Sequence, residues 1–207
     1  MRSPLIVRLA FCILAPCLAA EDGTAPPVAI PDPKPLQQIF GKDVRGWIEH
    51  LKKYENEKER KLAMFCLIDF GPAAADAVPE LVTLCKDELQ PDTQRWAMDA
   101  LGAIGATAKD AVPDLLAVLN DVRRPATHRA AACEALGQID PEAQPVRKAV
   151  LGAFRDQQPE VRAAAIDAAI SLTPYDPAAL PALAKALNNP PDAPAAATAL
   201  RCIGAPA

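Results

Sequence analysis

The residues able to do chemistry in this chain are few and scattered. There are two histidines. His50 shares the polar face of a helical stretch with Glu49 and Lys53 and reads as a surface residue. His128 opens another helical stretch beside Arg129, where polar side chains are tolerated, and reads as structural or solvated. Beyond residue 20 the cysteines are Cys66, Cys85, Cys133 and Cys202. None forms a CxxC pair, so no metal site is expected. The chain contains no HExxH, Gly-rich phosphate loop or GxSxG string. Acidic neighbours such as Asp87 and Glu88 fall at helix ends, where charge is solvated. General acid–base work needs a carboxylate held beside a second group in a partly buried setting, and no segment has that pattern. Trp47 and Trp96 sit on apolar stripes or their edges and read as packing. The expectation is a protein that is not an enzyme and needs no cofactor.

The composition explains what kind of frame carries these residues. Of 207 residues, 51% are hydrophobic but only 4% aromatic, so Ala, Leu, Val and Ile supply the apolar surface. That balance suits closely packed helices better than strands, which favour β-branched and aromatic side chains. The 22 prolines and nine glycines punctuate the chain into short elements. Its net charge is −4, and loss of Arg2 and Arg8 with a leader would make it −6. A phosphate-binding face needs a net positive surface, so nucleic acid is not an expected partner.

Residues 1–20 read as a signal peptide. Arg2 and Arg8 give a positive start, and Leu9 to Ala20 is an apolar run ending in small residues. The run is shorter than the roughly 20 residues that cross a bilayer. Leu14-Ala15-Pro16-Cys17 resembles a lipobox, although Pro16 departs from the small residue expected there; Cys17 is thus a candidate lipidation site and the only route to a membrane. Residues 21–41 form a Pro-rich linker, read as an extended spacer. The expected location is exported, periplasmic or extracellular.

From residue 42 the chain repeats itself. CLIDFGPAAADAVPELVTLCKD (Cys66 to Asp87) aligns with ALGAIGATAKDAVPDLLAVLND (Ala100 to Asp121), 34 residues on. Leu67, Leu101, Leu136, Ala169 and Leu200 recur at spacings of 34, 35, 33 and 31, and Pro91, Pro125, Pro159 and Pro191 keep the same phase. Within units the period is helical: Ala132, Cys133, Leu136 and Ile139 share one stripe, as do Val112, Leu115, Leu116 and Leu119. Asp76 and Asp110 precede second helices as candidate caps. Pro79 and Pro113 fall in the first helical turn, where the missing N–H is tolerated. Pro181 keeps that register, whereas the third repeat has Lys148 there and Pro145 upstream. Each unit is a helix, a turn and a second helix, and stacking neighbours buries what one pair cannot. Residues 42–207 thus form an all-α repeat domain with an N-terminal cap helix (Lys42 to Tyr54), four helix pairs and a final half repeat. The half repeat leaves an apolar flank at which the chain could associate with itself. Neighbouring helices lie about 8–10 Å apart and a disulfide needs Cα atoms within about 7 Å. Only Cys66 and Cys85, within one repeat, could meet, and buried thiols are the expected state of all four cysteines.

VRAAAIDAAISL (Val161 to Leu172), HRAAACEALGQI (His128 to Ile139) and DAVPDLLAVLND (Asp110 to Asp121) resemble HEAT repeats, of the short HEAT-like type first described in phycobilisome lyases. The resemblance implies a right-handed α-solenoid. It also implies a ladder between an Arg early in the first helix and an Asp after the second. Arg129 and Arg162 match the Arg position, and Asp87, Asp121 and Asp156 the Asp position. Gln94 and Asn189 depart from the pattern and leave the ladder incomplete. Proteins of this type bind other proteins on their second helices, which carries over to Glu80, Thr83 and Leu84, then Asp114, Ala117 and Val118. It continues to Ala149, Gly152 and Ala153, then Ala182, Lys185 and Ala186. This face is acidic at one end, small and apolar in the middle, and thinly basic at the other. The function implied is an exported, non-catalytic protein-binding scaffold; the alternative is a lyase-like or cofactor-handling role, by analogy of fold alone.

Overall fold

A computed structural model describes residues 41–53, 56–86, 91–172 and 176–203. The leader with Cys17, the linker up to residue 40, Asp87 and Glu88, and residues 204–207 lie outside the described residues. In chain order the α-helices are α1 (Val44–Lys53), α2 (Glu57–Phe70), α3 (Val78–Lys86), α4 (Pro91–Ile104) and α5 (Val112–Asn120). They continue as α6 (Ala126–Ile139), α7 (Gln144–Ala153), α8 (Pro159–Leu172), α9 (Ala179–Ala186) and α10 (Ala193–Ile203). The first helices stack in series, α2 on α4, α4 on α6, α6 on α8 and α8 on α10, while α3, α5, α7 and α9 are the second helices of their pairs. No strand occurs among the described residues. The fold is an all-α solenoid of helix pairs.

Local chemistry sets where the helices start and stop. Asn56 caps α2, its Oδ1 accepting from the Glu59 N–H at 3.0 Å, and Asp43 accepts from the Gly46 N–H at 2.8 Å at the head of α1. Gly71 and Gly105 turn the chain at φ of 55° and 70°, a region that side chains strain to enter. From there 3₁₀ turns over Gly71–Ala77 and Gly105–Ala111 run straight into α3 and α5. The expected capping by Asp110 does not occur. The Val78 and Val112 N–H groups donate to the Ala75 and Lys109 carbonyls, so the turn itself satisfies them. Asp76 and Asp110 are left exposed. Pro113 does sit in the first turn of α5.

The apolar stripes meet in a core running from Trp47 on α1 to Ala179 on α9, with a smaller cluster of Ile166, Ala169, Leu183 and Ala199 beyond it. Cap helix α1 buries Trp47 and Leu51 against this stack. His50 differs from its surface assignment: its side chain is only 10% exposed. Lys42 Nζ lies 2.8 Å from its Nδ1 and Glu59 Oε2 2.7 Å from its Nε2. A Lys ammonium can only donate, so this pairing fits the tautomer with its proton on Nε2. His50 therefore ties α1 to α2 rather than facing solvent. His128 is buried too, its Nε2 2.7 Å from the Pro91 carbonyl at the start of the preceding first helix.

The cysteines are packing residues. Among the described residues Cys66, Cys85 and Cys133 are buried thiols outside any disulfide, and Cys202 is half-buried. Burial pushes the Cys66 thiol up to about 11, with Asp69 adding to it, and the Cys85 thiol up to about 12, with Asp114 adding. Burial also raises Cys133. Thiolate, the reactive form, is therefore scarce at neutral pH.

Small residues let the first helices approach. A Cβ added at Gly102 would stand 2.7 Å from Gln138 Oε1 and 3.2 Å from Ala135 Cα. One at Gly137 would stand 2.8 Å from Ala168 Cβ and 3.1 Å from Ala168 Cα. A Cβ at Gly152, on second helix α7, would meet nothing within 4 Å. Two glycine-to-alanine changes should therefore move stability in opposite directions. Gly137→Ala overpacks a helix crossing and should cost about 1–3 kcal/mol in urea unfolding. Gly152→Ala should add roughly 0.5–1 kcal/mol by helix propensity.

Candidate functional site

The second-helix face is shaped by ion pairs between consecutive repeats. Lys52 of α1 reaches Glu80 of α3 at 3.7 Å, and Lys86 of α3 reaches Asp114 of α5 at 3.0 Å. Farther along, Lys109 pairs with Asp140 at 3.2 Å and Arg147 of α7 with Asp176 at 3.5 Å. The acidic end expected of this face is thus neutralised by lysines of the preceding unit. Leu84 and Val118, expected to face outward, are buried at 5% and 6% exposure, because they continue the stripes of Leu81 and Leu115 that the next repeat covers. Ala153 is buried as well. Thr83 is exposed but its hydroxyl donates to the Pro79 carbonyl at 3.0 Å. Ala117 and Lys185 are exposed.

One concavity on this face lies between α5 and α7. It has a volume of about 540 Å³ and is lined by Leu116, Leu119, Asn120, Val122, Arg129, Pro145, Lys148, Ala149, Gly152, Ala153 and Asp156. Of the residues expected to bind, Glu80, Thr83, Leu84, Asp114, Ala117, Val118, Ala182, Lys185 and Ala186 do not line it, whereas the small residues Ala149, Gly152 and Ala153 do. The polar contributors Asn120, Lys148 and the loop residue Val122 were not anticipated as a site. The register expected for the third repeat is corrected here: α7 starts early enough that Pro145 takes the first-turn place, and Lys148 falls one turn later, on the groove side.

Two ladder steps brace this groove. Arg129 on α6 makes a bidentate pair with Asp156, Nη2 to Oδ1 at 3.1 Å and Nη1 to Oδ2 closer still. Arg162 on α8 donates from Nη1 to the Asp156 carbonyl at 3.0 Å and from Nε to Asp192 Oδ2 at 2.8 Å. The ladder expected to lapse at Asn189 therefore continues through Asp192, three residues later, to which the Asn189 amide also donates. Burial alone would raise the Asp156 carboxyl, but the hydrogen bonds from Arg129 and the Gln158 N–H, with the Arg129 and Arg162 charges, hold it below the usual range. The ladder does lapse at Gln94, which is buried with its Nε2 lacking a hydrogen-bond partner among the described residues. With no arginine there, Asp121 pairs with Arg123 instead, Nε to Oδ1 at 2.9 Å. The loop so held carries Val122 at the groove, 78% exposed.

A second set of carboxylates follows the first helices. Burial pushes Glu134 on α6 up to about 7, with Asp99 and Asp167 of the neighbouring first helices adding to the rise and Arg95 opposing it. Burial likewise pushes Asp99 up to about 6, against Arg95. Asp99 and Glu134 are half-buried and Asp167 exposed. Among the described residues no group of three His, Cys, Asp or Glu side chains is arranged to hold a metal ion.

These arrangements give two measurable consequences. Asp192→Ala strands the Arg162 guanidinium and should cost up to about 3–5 kcal/mol, whereas Lys86→Ala, at an exposed pair, should cost less than about 1 kcal/mol. A carboxyl whose folded pKa is raised binds its proton more tightly when folded, so its contribution to stability falls as pH rises from the unfolded value through the folded one. Glu134 should therefore weaken the fold between about pH 4.5 and about pH 7. Thermal melts at roughly pH 5 and pH 8 should show a smaller difference for Glu134→Gln than for the parent.

Comparison with known proteins agrees with this architecture. Among curated proteins no relative matches. A solved structure of the complex of CpcE and CpcF of phycocyanin lyase from Nostoc sp. PCC7120 superposes with a TM-score of 0.58 at 21% identity, over 77% of this chain and 96% of that one. A crystal structure of an engineered protein superposes with a TM-score of 0.55 at 20% identity, over 78% and 79%. At such identities the likeness is one of fold. The family described as HEAT repeats matches residues 44–127 and 112–204, together most of the chain, and the protein belongs to the HEAT-repeat family.

Proposed function

We propose that this protein is an exported, non-catalytic scaffold that binds another protein on its second-helix face. The observation that carries the reading is the groove between α5 and α7. Its floor is apolar and small, and its one lining carboxylate, Asp156, is already bonded to Arg129. Such a surface offers preformed contact area with little ordering cost, and it lacks the pair of convergent, differently tuned groups that acid–base catalysis uses. The similar phycocyanin lyase structure is itself a complex of two named chains, which supports a protein partner. The lyase-like alternative rests on likeness of fold alone.

Export rests on the apolar leader of residues 1–20, with Cys17 as the candidate lipid anchor and residues 21–41 as the spacer. Self-association through the α10 end is part of the same proposal. There Leu200 and Ile203 remain half-buried.

The test uses the full chain from residue 21 as bait on envelope and secreted fractions. Gly152→Trp, which fills the groove without meeting a neighbour at Cβ, serves as the control. A discrete protein retained by the parent and lost by the variant, with identical circular dichroism melts, is the expected result. Equal retention by both would place binding elsewhere and overturn the groove as its seat. A reporter enzyme active only outside the cytoplasm, fused after residue 41, should be active; an inactive fusion would overturn export.

A further inference from the structure

We infer that the groove between α5 and α7 takes a short, extended, apolar segment of a partner protein that carries one carboxylate, seated on Lys148. The inference rests on the scaffold reading and adds the chemistry of the partner.

Size comes first. A groove of about 540 Å³, open along one side, is comparable in volume to the roughly 300–1,000 Å³ of small-ligand clefts without closing over its occupant. It therefore suits a few residues of chain, not the face of a domain. Its floor is made by Leu116, Leu119, Ala149 and Ala153, and a Cβ at Gly152 would meet nothing within 4 Å. A peptide backbone can lie close over α7 there, as it could not over a larger side chain.

Val122 gives the second indication. It is 78% exposed, against 40% for Leu180 and Leu187, the other exposed large apolar residues among those described. It stands at the groove, on a loop fixed by the Asp121–Arg123 pair rather than left to fold inward. An apolar side chain held out at a cleft gains by being covered.

Charge gives the third. Three charged residues line the groove: Arg129, Asp156 and Lys148. Arg129 is 5% exposed and spends both terminal nitrogens on Asp156. Lys148 is exposed and is the charge left over, so the groove is net positive in a chain of net charge −4. A lysine ammonium is a compact point charge and matches a single carboxylate, while a basic segment is repelled. Three residues after the first-turn proline, where Lys148 stands in α7, the other second helices carry Val82, Leu116 and Ala184, so the cation is particular to this groove.

The probes are two blocked, fluorescein-labelled octapeptides of alternating alanine and valine, one with a central aspartate and the other with a central lysine. Anisotropy titrations use the full chain from residue 21, Lys148→Glu and Gly152→Trp, with melts to confirm folding. The aspartate peptide should bind the parent at least about tenfold more tightly than the lysine peptide, less so at high salt. Lys148→Glu should reverse that order, and Gly152→Trp should abolish both interactions. Equal binding of the two peptides, or an order unchanged by Lys148→Glu, overturns the carboxylate inference. If Gly152→Trp still loses the captured protein, the scaffold reading survives that result. A synthetic peptide of residues 21–35, which holds Glu21, Asp22 and Asp32, is the competitor. If it binds the groove and the octapeptides do not, the occupant is the chain's own linker and a foreign segment is excluded.

Discussion

One methyl group separates first helices that can stack from first helices that cannot. Gly102 faces Ala135, and Gly137 faces Ala168, at distances that leave no room for a Cβ. Such contact is why the chain is rich in alanine and poor in aromatics: small side chains bring backbones together, and dispersion over the whole crossing replaces a few large contacts. Because no single pair buries both of its faces, each repeat is stable only as a neighbour of the next. The polar features then have to fit between helices already fixed in place.

The buried arginines show how that fit is made. A guanidinium inside a stack is costly unless its donors are used. Arg129 uses its two terminal nitrogens on Asp156, and Arg162 donates to the Asp156 carbonyl and to Asp192, so paired charge runs from the third repeat to the start of α10. Where that run breaks, at Gln94, the freed carboxylate of Asp121 turns to its own loop and holds Arg123. Val122 stands between those two paired residues, exposed at the groove mouth. Surface lysines do the lighter task of joining consecutive second helices, and in doing so they occupy Glu80 and Asp114.

A binding function on such a frame needs little that is dynamic or strained. The groove is preformed between α5 and α7, with its cation on one helix and its apolar floor shared by both. The carboxylates on the first helices, by contrast, face one another across repeats and work against the fold as they ionise. The two faces of the solenoid thus differ in kind: the second helices hold surface ion pairs and a cleft, the first helices half-buried carboxylates and close packing.

Period and phase were legible without coordinates. The spacing of 31 to 35 residues, the helical stripes and the turn glycines depend only on local backbone preference and on which side chains avoid water. They were enough to define the helix pairs, the cap helix and the absence of nucleophile or metal motifs in the sequence. Tertiary structure decided which polar groups meet. His50 looked exposed because its own helix said so, and Glu59 of the next helix made it a clamp. Leu84 and Val118 looked outward because only the neighbouring repeat shows how far it overlaps them. Asp192 joined the ladder since a charge is found by distance and not by register. Sequence specifies each repeat, but exposure and pairing on the second-helix face are set by how one repeat leans on the next, and that lean is a property of the packed helices together.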